Sequence, residues 1–504
     1  MTLSTPQAGP ESRPTTAPPP GRRTLRPLVV RLHFYAAILV APFIVVAAIT
    51  GGLYAVATPL ERLVHADELT AGSSGPALRV EQQVEAARAA VGDELPLVAV
   101  RPAAPDDGGV GETTRVMFDD GRTDASRTLA VFVDPASGEV RGELTSYGGS
   151  GSLPVRTWIS ELHRNLHLGE PGRLYSELAA SWLGVVALAG LVLWWTGPRR
   201  DGTSRWRPLR RRESRSARRR TQSWHGSLGT WALLGMLVLS ATGLTWSTYA
   251  GTHVTDLRLA LGWGTPAVTS DLAADGGTGG GDHADHGGHG DTAEPEVVAD
   301  GPGVGFDGAL AAAADAGLSG PLQVDQPVGA TGTYVVSETD STWPTRADVV
   351  SVDPADGQVV DEVRFADWPL MARLASWGID LHMGVLFGLV NQVVFLLLAV
   401  AIVVMALTGY RMWWQRRPTR AGADGRTARV GRAPRRGAWR AASPAALAGV
   451  AVVALAVGWF VPLLGVSLLA FLVLDVVLGR VARSRSRRPA TVAEETDAVL
   501  EETR

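Results

Sequence analysis

Residues 33–54 read HFYAAILVAPFIVVAAITGGLY, and residues 225–246 read HGSLGTWALLGMLVLSATGLTW. Each stretch begins with a histidine, carries a Thr-Gly pair at the same distance from that histidine and contains no charged side chain. A bilayer core of about 30 Å needs about 20 apolar residues in a helix. Both stretches are therefore predicted to span a membrane, at corresponding places in two copies of a repeat.

Three further runs lack Asp, Glu and Arg: residues 178–198, 383–410 and 441–474. The last run is longer than one span requires and contains Pro462, which favours a hairpin of two helices over one long helix. Charged residues make up only 19% of the chain, against about 25% in soluble domains. We therefore expect an α-helical integral membrane protein with four core spans and a C-terminal two-helix hairpin.

The arginines indicate the orientation of the chain, because cytoplasmic loops next to membrane spans are enriched in basic residues. Eleven arginines lie between residues 197 and 223, and residues 416–440 and 480–488 are also basic. Acidic residues collect in 59–175 and 250–380. We expect a multi-pass protein of the bacterial inner membrane with cytoplasmic N- and C-termini, whose arginines contact membrane lipid and not nucleic acid.

The chain is predicted to be a duplication of a helix–outer domain–helix unit. Asp134 precedes His163 by the same interval that separates Asp353 from His382. Each outer region is expected to form a small extracytoplasmic α+β domain, with helices at 80–91 and 306–316. Its expected strands are 97–100, 114–118 and 129–133 in the first domain, and 334–337 and 348–352 in the second.

The resulting organisation follows the order of these segments. It comprises a disordered cytoplasmic tail (1–26), the first span (27–58), the first outer domain (59–160), an interfacial helix and second span (161–198), a basic loop (199–223), the third span (224–250), the second outer domain (251–371) with a His/Gly-rich insertion (276–291), an interfacial helix and fourth span (372–415), a basic loop (416–440), the hairpin (441–479) and a cytoplasmic tail (480–504).

Four histidines occupy repeat-equivalent places at the membrane borders. His33 and His225 are expected near the inner face, and His163 and His382 near the outer face. A single histidine at a helix end is more often a capping or interfacial residue, but two at one depth on homologous helices are typical of a six-coordinate haem iron. Since the chain has no cysteine to attach haem covalently, two b-type haems are predicted.

One ligand position has an alternate. His167 lies one turn after His163, and on a continuous helix both would face the same way. The repeat aligns His382 with His163, whereas His167 aligns with Leu386, so we favour His163. Glycines inside the spans, including Gly51, Gly190, Gly243 and Gly409, allow close helix packing or make room for a porphyrin, and the sequence favours neither interpretation.

Three more histidines, His283, His286 and His289, lie in the Gly/Asp-rich insertion. Such a tract binds metal ions loosely in some proteins, and in others it is only a solvated linker. It is kept as a candidate metal site in a loop.

Several of these motifs resemble the PepSY-associated transmembrane family of iron-regulated membrane proteins over about residues 25–415. The motifs are Arg31-Leu32-His33, the stretch ELHRNL at 161–166, Trp224-His225-Gly226, DLHMG at 380–384 and RMWW at 411–414. The resemblance implies PepSY domains outside the membrane and, in some members, ferric-siderophore reduction through two b haems. By this resemblance, the axial haem ligands are expected to be His33, His163, His225 and His382.

The leading hypothesis is therefore a haem-dependent membrane oxidoreductase that passes electrons to an extracytoplasmic Fe(III)-siderophore or other ferric chelate. No flavin or nicotinamide motif is visible, so the donor is expected to be quinol or a separate reductase. The alternative is a sensor or regulator whose PepSY-like domains bind a peptide or a protease. A permease ranks last, because polar or broken helices at mid-membrane are scarce.

Overall fold

A computed structural model describes residues 24–104, 111–121, 126–196, 216–273, 303–417, 434 and 436–486. The helices are α1 (Arg26–Tyr54), α2 (Ala57–Val64), α3 (Ala66–Leu69), α4 (Val80–Val91), α5 (Pro154–Asn165), α6 (Glu170–Trp195), α7 (Ala217–Thr245), α8 (Tyr249–Ala260), α9 (Gly305–Asp315), α10 (Leu370–Met383), α11 (Gly388–Trp414), α12 (Pro444–Phe460) and α13 (Pro462–Ser486). The strands are β1 (Leu97–Arg101), β2 (Thr114–Phe118), β3 (Arg127–Val133), β4 (Val140–Tyr147), β5 (Leu322–Asp325), β6 (Tyr334–Glu338), β7 (Val349–Val352) and β8 (Val359–Val363).

Four long apolar helices form a bundle in which α1 and α7 each pack against α6 and α11. Small residues such as Ala36, Ala179 and Ala232 lie buried between them, which lets the helix backbones approach closely. Within the described residues, five helices are long and apolar enough to cross a membrane: the four bundle helices and Pro462–Val481 of α13. The other helix of the predicted hairpin, α12, is apolar but has only 17 residues.

The strands of residues 97–147 and 322–363 form one open, antiparallel sheet in the order β4-β3-β2-β1-β5-β6-β7-β8. This differs from the expectation of two separate small domains. Strand β1 pairs with β5 through Ala99 with Asp325 and Val100 with Val324. Each of these strands would otherwise be an edge with unpaired backbone groups, and their pairing removes both edges. Helices α4 and α9 cover one face of the joint sheet, over a core that includes Val116 and Val350.

Three strands were not expected from the sequence: β4, β5 and β8. Strands β4 and β8 are the edges of the sheet, and no residue of β8 is fully buried. Their sequences therefore lack the alternation of apolar and polar residues that marks a half-buried strand. The strand β5 has only four residues, which is too short for a periodic signal.

The predicted break between the interfacial helix and the second span is confirmed. Helix α5 ends at Asn165, Gly169 precedes α6 with φ of 63°, and Pro171 lies in the first turn of α6. A Cβ atom on Gly172 would lie 1.7 Å from the carbonyl oxygen of Asn165, so only glycine fits there. This turn lets α5 run along the end of the bundle nearest the sheet and present His163 to α1.

Candidate functional site

Two histidine pairs lie between the bundle helices. The sheet-distal pair consists of His33 on α1 and His225 on α7, with ring centroids 6.5 Å apart and ring planes at 77°. The sheet-proximal pair consists of His163 on α5 and His382 on α10, with centroids 6.4 Å apart and planes at 41°. Two imidazoles that bind one metal ion from opposite sides, through metal–nitrogen bonds of about 2 Å, have centroids about 6 Å apart. Both pairs match this spacing.

Hydrogen bonds fix the proton of each of these rings on Nδ1. His33 Nδ1–H donates to the carbonyl oxygen of Val186 at 3.0 Å. The other three rings donate to threonine hydroxyls: His163 to Thr50 at 2.9 Å, His225 to Thr408 at 3.0 Å and His382 to Thr242 at 2.6 Å.

The direction of the three threonine bonds follows from the helices. Each hydroxyl donates its own proton to a backbone carbonyl one turn earlier: Thr50 to Val46, Thr408 to Val404 and Thr242 to Val238. The hydroxyl oxygen therefore accepts from the imidazole. A ring protonated on Nδ1 carries its lone pair on Nε2, which is the tautomer that metal-ligating histidines adopt.

A glycine of a neighbouring helix faces the edge of each ring. A Cβ atom on Gly51 would lie 3.0 Å from Cε1 of His163, and one on Gly190 would lie 3.2 Å from Cε1 of His33. The corresponding distances are 3.8 Å from Gly243 to His382 and 3.9 Å from Gly409 to His225. Gly51 and Gly190 thus make room for the imidazoles themselves, whereas Gly243 and Gly409 leave enough space for a methyl group. The sequence offered only helix packing or space for a porphyrin.

A cavity of about 340 Å³ surrounds the sheet-distal pair. It is lined by both histidines, by Gly190 and Gly409, and by aromatic residues that include Trp194 and Trp413. This volume lies in the range of about 300–1,000 Å³ found for small-molecule and cofactor sites. An apolar, flat ligand with a metal at its centre fits the chemistry of this lining.

The two pairs lie at different depths of the bundle. On α1, His33 stands almost five helical turns before Thr50, which holds His163. On α7 the same interval separates His225 from Thr242, which holds His382. At about 1.5 Å per residue this is a separation of about 26 Å. One cofactor therefore cannot use all four rings.

The sheet-proximal rings are neutral at physiological pH. Burial lowers the pKa of His163 to about 4. Burial, together with the repulsion that a protonated His163 would exert, lowers the pKa of His382 to about 3. Neutral imidazole is the form that binds iron, so no proton has to be displaced there.

The alternate ligand His167 is not brought to His382. Its backbone has φ of 55°, just beyond the end of α5, so the assumption of a continuous helix is wrong. Its ring packs on Trp158 at 4.9 Å and lies 3.3 Å from the Glu161 carboxylate. The loop histidines His283, His286 and His289 lie outside the described residues. Within the described ranges, no group of three or more His, Cys, Asp or Glu residues could hold a metal ion by protein ligands alone.

No role for Thr50, Thr242, Thr408 or Val186 was expected from the sequence. A signal for three of them was present, because the same Thr-Gly pair occurs at 50–51, 242–243 and 408–409. Gly190, which faces His33, is preceded by Ala189 and not by threonine. His33 therefore bonds to the backbone carbonyl of Val186 instead of a hydroxyl. That bond has no signature in the sequence.

The family described as PepSY-associated TM region matches residues 30–416, which is most of the chain and includes all four histidines. An uncharacterized protein of Pseudomonas aeruginosa is 34% identical over 92 residues, which cover 18% of this chain and 21% of that protein. The short match leaves most of that relative unaligned. The extent of the family match decides the assignment: the chain belongs to the PepSY-associated TM region family.

Proposed function

We propose that this protein conducts electrons across a membrane through two b-type haems and reduces an extracytoplasmic ferric chelate, such as an Fe(III)-siderophore. The observation that carries the proposal is a pair of imidazoles at each of two depths, in which every ring is hydrogen-bonded through Nδ1 and has Nε2 as its remaining nitrogen. This arrangement occurs once at each end of the bundle.

Haem, when bound, supplies reversible one-electron transfer between Fe(III) and Fe(II). The chain would supply the imidazole nitrogens of His33, His225, His163 and His382, the hydrogen bonds that orient them and a low-dielectric surround. Threonine hydroxyls and the Val186 carbonyl increase the electron density of the imidazoles through their Nδ1 protons, and such partners tune a bound metal. Gly51 and Gly190 leave the space that the His163 and His33 imidazoles occupy.

The electron balance requires a donor at the sheet-distal end of the bundle. Oxidation of one quinol to quinone releases two electrons and two protons, enough to reduce two Fe(III) ions to Fe(II). A separate reductase would serve equally. At the other end the joint sheet lies next to the helices that carry His163 and His382, so a chelate bound there is close to the sheet-proximal pair.

The test is an absorption spectrum of the purified protein, oxidised and dithionite-reduced, with a pyridine haemochrome count. We expect two haems b per chain, and one fewer in each of His225→Ala and His382→Ala. His253→Ala is the matched control, because His253 donates to the Phe460 carbonyl at 3.0 Å, away from both pairs. Absence of Soret absorbance would favour the sensor hypothesis instead. The same holds if the haem count of both variants equals that of the wild-type protein.

A further inference from the structure

The cavity around the sheet-distal pair carries charge of one sign at its open end. Its lining includes Arg26 and Arg416 and, among the residues that the structure describes, no aspartate or glutamate. Arg26 precedes His33 by seven residues on α1, which is two turns or about 10 Å. Gly409 faces His225, and Arg416 follows Gly409 by the same interval of seven residues. The two guanidinium groups thus belong to one level of the bundle.

Neither arginine has a carboxylate partner in the described part of the chain, whereas the neighbouring Arg31 forms an ion pair with Asp475 of α13. Arg416 instead folds back toward the cavity, with its guanidinium 5.7 Å from the ring centroid of Phe34. Burial and the charge of Arg218 lower the pKa of Arg416. Arg218 corresponds to Arg26 in the second unit, at the same distance before the histidine of that unit. Among the described residues, the open end therefore carries positive charge without carboxylate partners at Arg26 and Arg416.

We propose that Arg26 and Arg416 bind the two carboxylate groups of a porphyrin held by His33 and His225, so that the carboxylate edge of the ring faces away from the sheet. This inference rests on the proposed function, since it requires haem at the sheet-distal pair. Arginine is suited to the task because its planar guanidinium meets a carboxylate with two parallel hydrogen bonds. The apolar and aromatic walls enclose the remainder of the ring, and only its polar edge reaches the arginines.

The charge has a second effect. A positive group next to a haem favours the reduced state, because reduction adds one negative charge to the site. Two arginines at the carboxylate edge therefore raise the reduction potential of the sheet-distal haem. A surface arginine that only orients the chain in the membrane would not change the potential of one haem selectively.

The first experiment measures haem release from Arg26→Gln and Arg416→Gln in lipid nanodiscs, with excess apomyoglobin as acceptor. Each substitution is expected to accelerate one of the two release phases about tenfold, the value of one charged hydrogen bond, and to leave the other phase unchanged. Redox titration should show a lower midpoint potential for one haem only. Arg417→Gln is the control: Arg417 is adjacent in sequence, does not line the cavity, and lies over Trp414 at 4.3 Å.

The second experiment changes the ligand instead of the protein. Apoprotein is reconstituted with iron protoporphyrin or with its dimethyl ester, whose carboxylates are blocked. The wild-type chain should release the ester faster in the same phase, and Arg26→Gln should add no further acceleration with the ester. If the effects of ester and substitution are fully additive, the arginines contact something else, such as lipid phosphate, and the inference is overturned. A chain that binds neither porphyrin refutes the proposed function itself, which keeps the two failures distinct.

Discussion

One glycine faces each proposed haem ligand, and the four glycines leave different amounts of space. Gly51 is the tightest, because a methyl carbon added to it would lie 3.0 Å from Cε1 of His163, whereas one on Gly409 would lie 3.9 Å from His225. A methyl group at position 51 must displace the imidazole by a few tenths of an ångström, while one at 409 makes an ordinary contact. Side chains that orient a metal ligand are typically worth about 10–100-fold in metal affinity.

We expect Gly51→Ala to weaken haem binding at the sheet-proximal pair about tenfold. Haem content after purification and the rate of release to apomyoglobin measure the effect. Gly409→Ala should leave both quantities unchanged. Equal behaviour of the two variants would show that the glycines serve only helix packing.

A buried carboxylate in the sheet gives a pH-dependent prediction. Asp134 is fully buried and accepts hydrogen bonds from the backbone N–H groups of Gly72, Ser73, Ala136 and Ser137 and from the Ser73 hydroxyl. Burial alone would raise the pKa of Asp134, but these bonds outweigh it and hold the pKa well below its ordinary value. The stabilisation is present above the unfolded-state pKa of about 3.9 and is lost as pH falls from there toward the folded-state value.

Asp134→Asn should therefore reduce the free energy of unfolding by about 2 kcal/mol at pH 7, and by less at pH 3. Thermal unfolding in nanodiscs at both pH values tests this. Asp353→Asn is the matched control, because Asp353 holds the corresponding turn through Ala355 N–H at a more exposed site. A loss for Asp134→Asn that is independent of pH would contradict the assignment.

At the scale of elements, the turn between α5 and α6 positions a ligand. The sequence predicted an interfacial helix ahead of the second span, and the structure separates the two helices at Gly169 and Pro171. The sequence did not reveal that the helix ends before His167. Left-handed backbone is usually marked by glycine or asparagine, and here Leu166 and His167 adopt it. A pair of histidines one helical turn apart therefore looked like two equivalent candidates.

Gly172→Ala should disturb this turn severely. The added methyl carbon would overlap the Asn165 backbone, which cannot move like a flexible side chain. We expect a loss of about 3 kcal/mol in stability together with weakened haem at the sheet-proximal pair. Thermal unfolding and haem counting measure the two effects. Gly449→Ala on α12 is the control, because no atom lies within 4 Å of the added methyl carbon, and it should be neutral or slightly stabilising. A similar loss of stability in Gly449→Ala would show that the overlap with Asn165 is not the cause.

At the scale of the whole molecule, the four bundle helices could be predicted because long apolar runs are a local property. The joint sheet could not, since the pairing of Val100 with Val324 joins residues more than 200 positions apart. Apolar strands such as β3 indicate only that they are buried. The neighbour of β1 depends on how the strands β1–β4 pack against the strands β5–β8. No single residue of β1 or β5 determines this pairing.

The orientation of the molecule is open to a direct test, because the chain has no cysteine of its own. Single cysteines at Thr339, exposed next to the sheet, and at Arg440, exposed at the opposite end of the bundle, should react differently in intact cells. A membrane-impermeant maleimide is expected to label Thr339→Cys and to spare Arg440→Cys until the cells are lysed. The reverse pattern would place the sheet in the cytoplasm and refute the proposed direction of electron transfer.

Each histidine pair joins one residue of the segment α1–α6 to one residue of the segment α7–α11. His33 and His163 are made early in synthesis, while His225 and His382 follow, so neither segment can offer an iron two imidazole nitrogens on its own. The sheet-proximal pair has both histidines once α10 has emerged, whereas His225 of the sheet-distal pair also depends on Thr408 of α11, and Arg416 just after α11 lines the cavity there. The order of the chain thus gives the proposed cofactors an order of loading, in which the sheet-distal site is completed last.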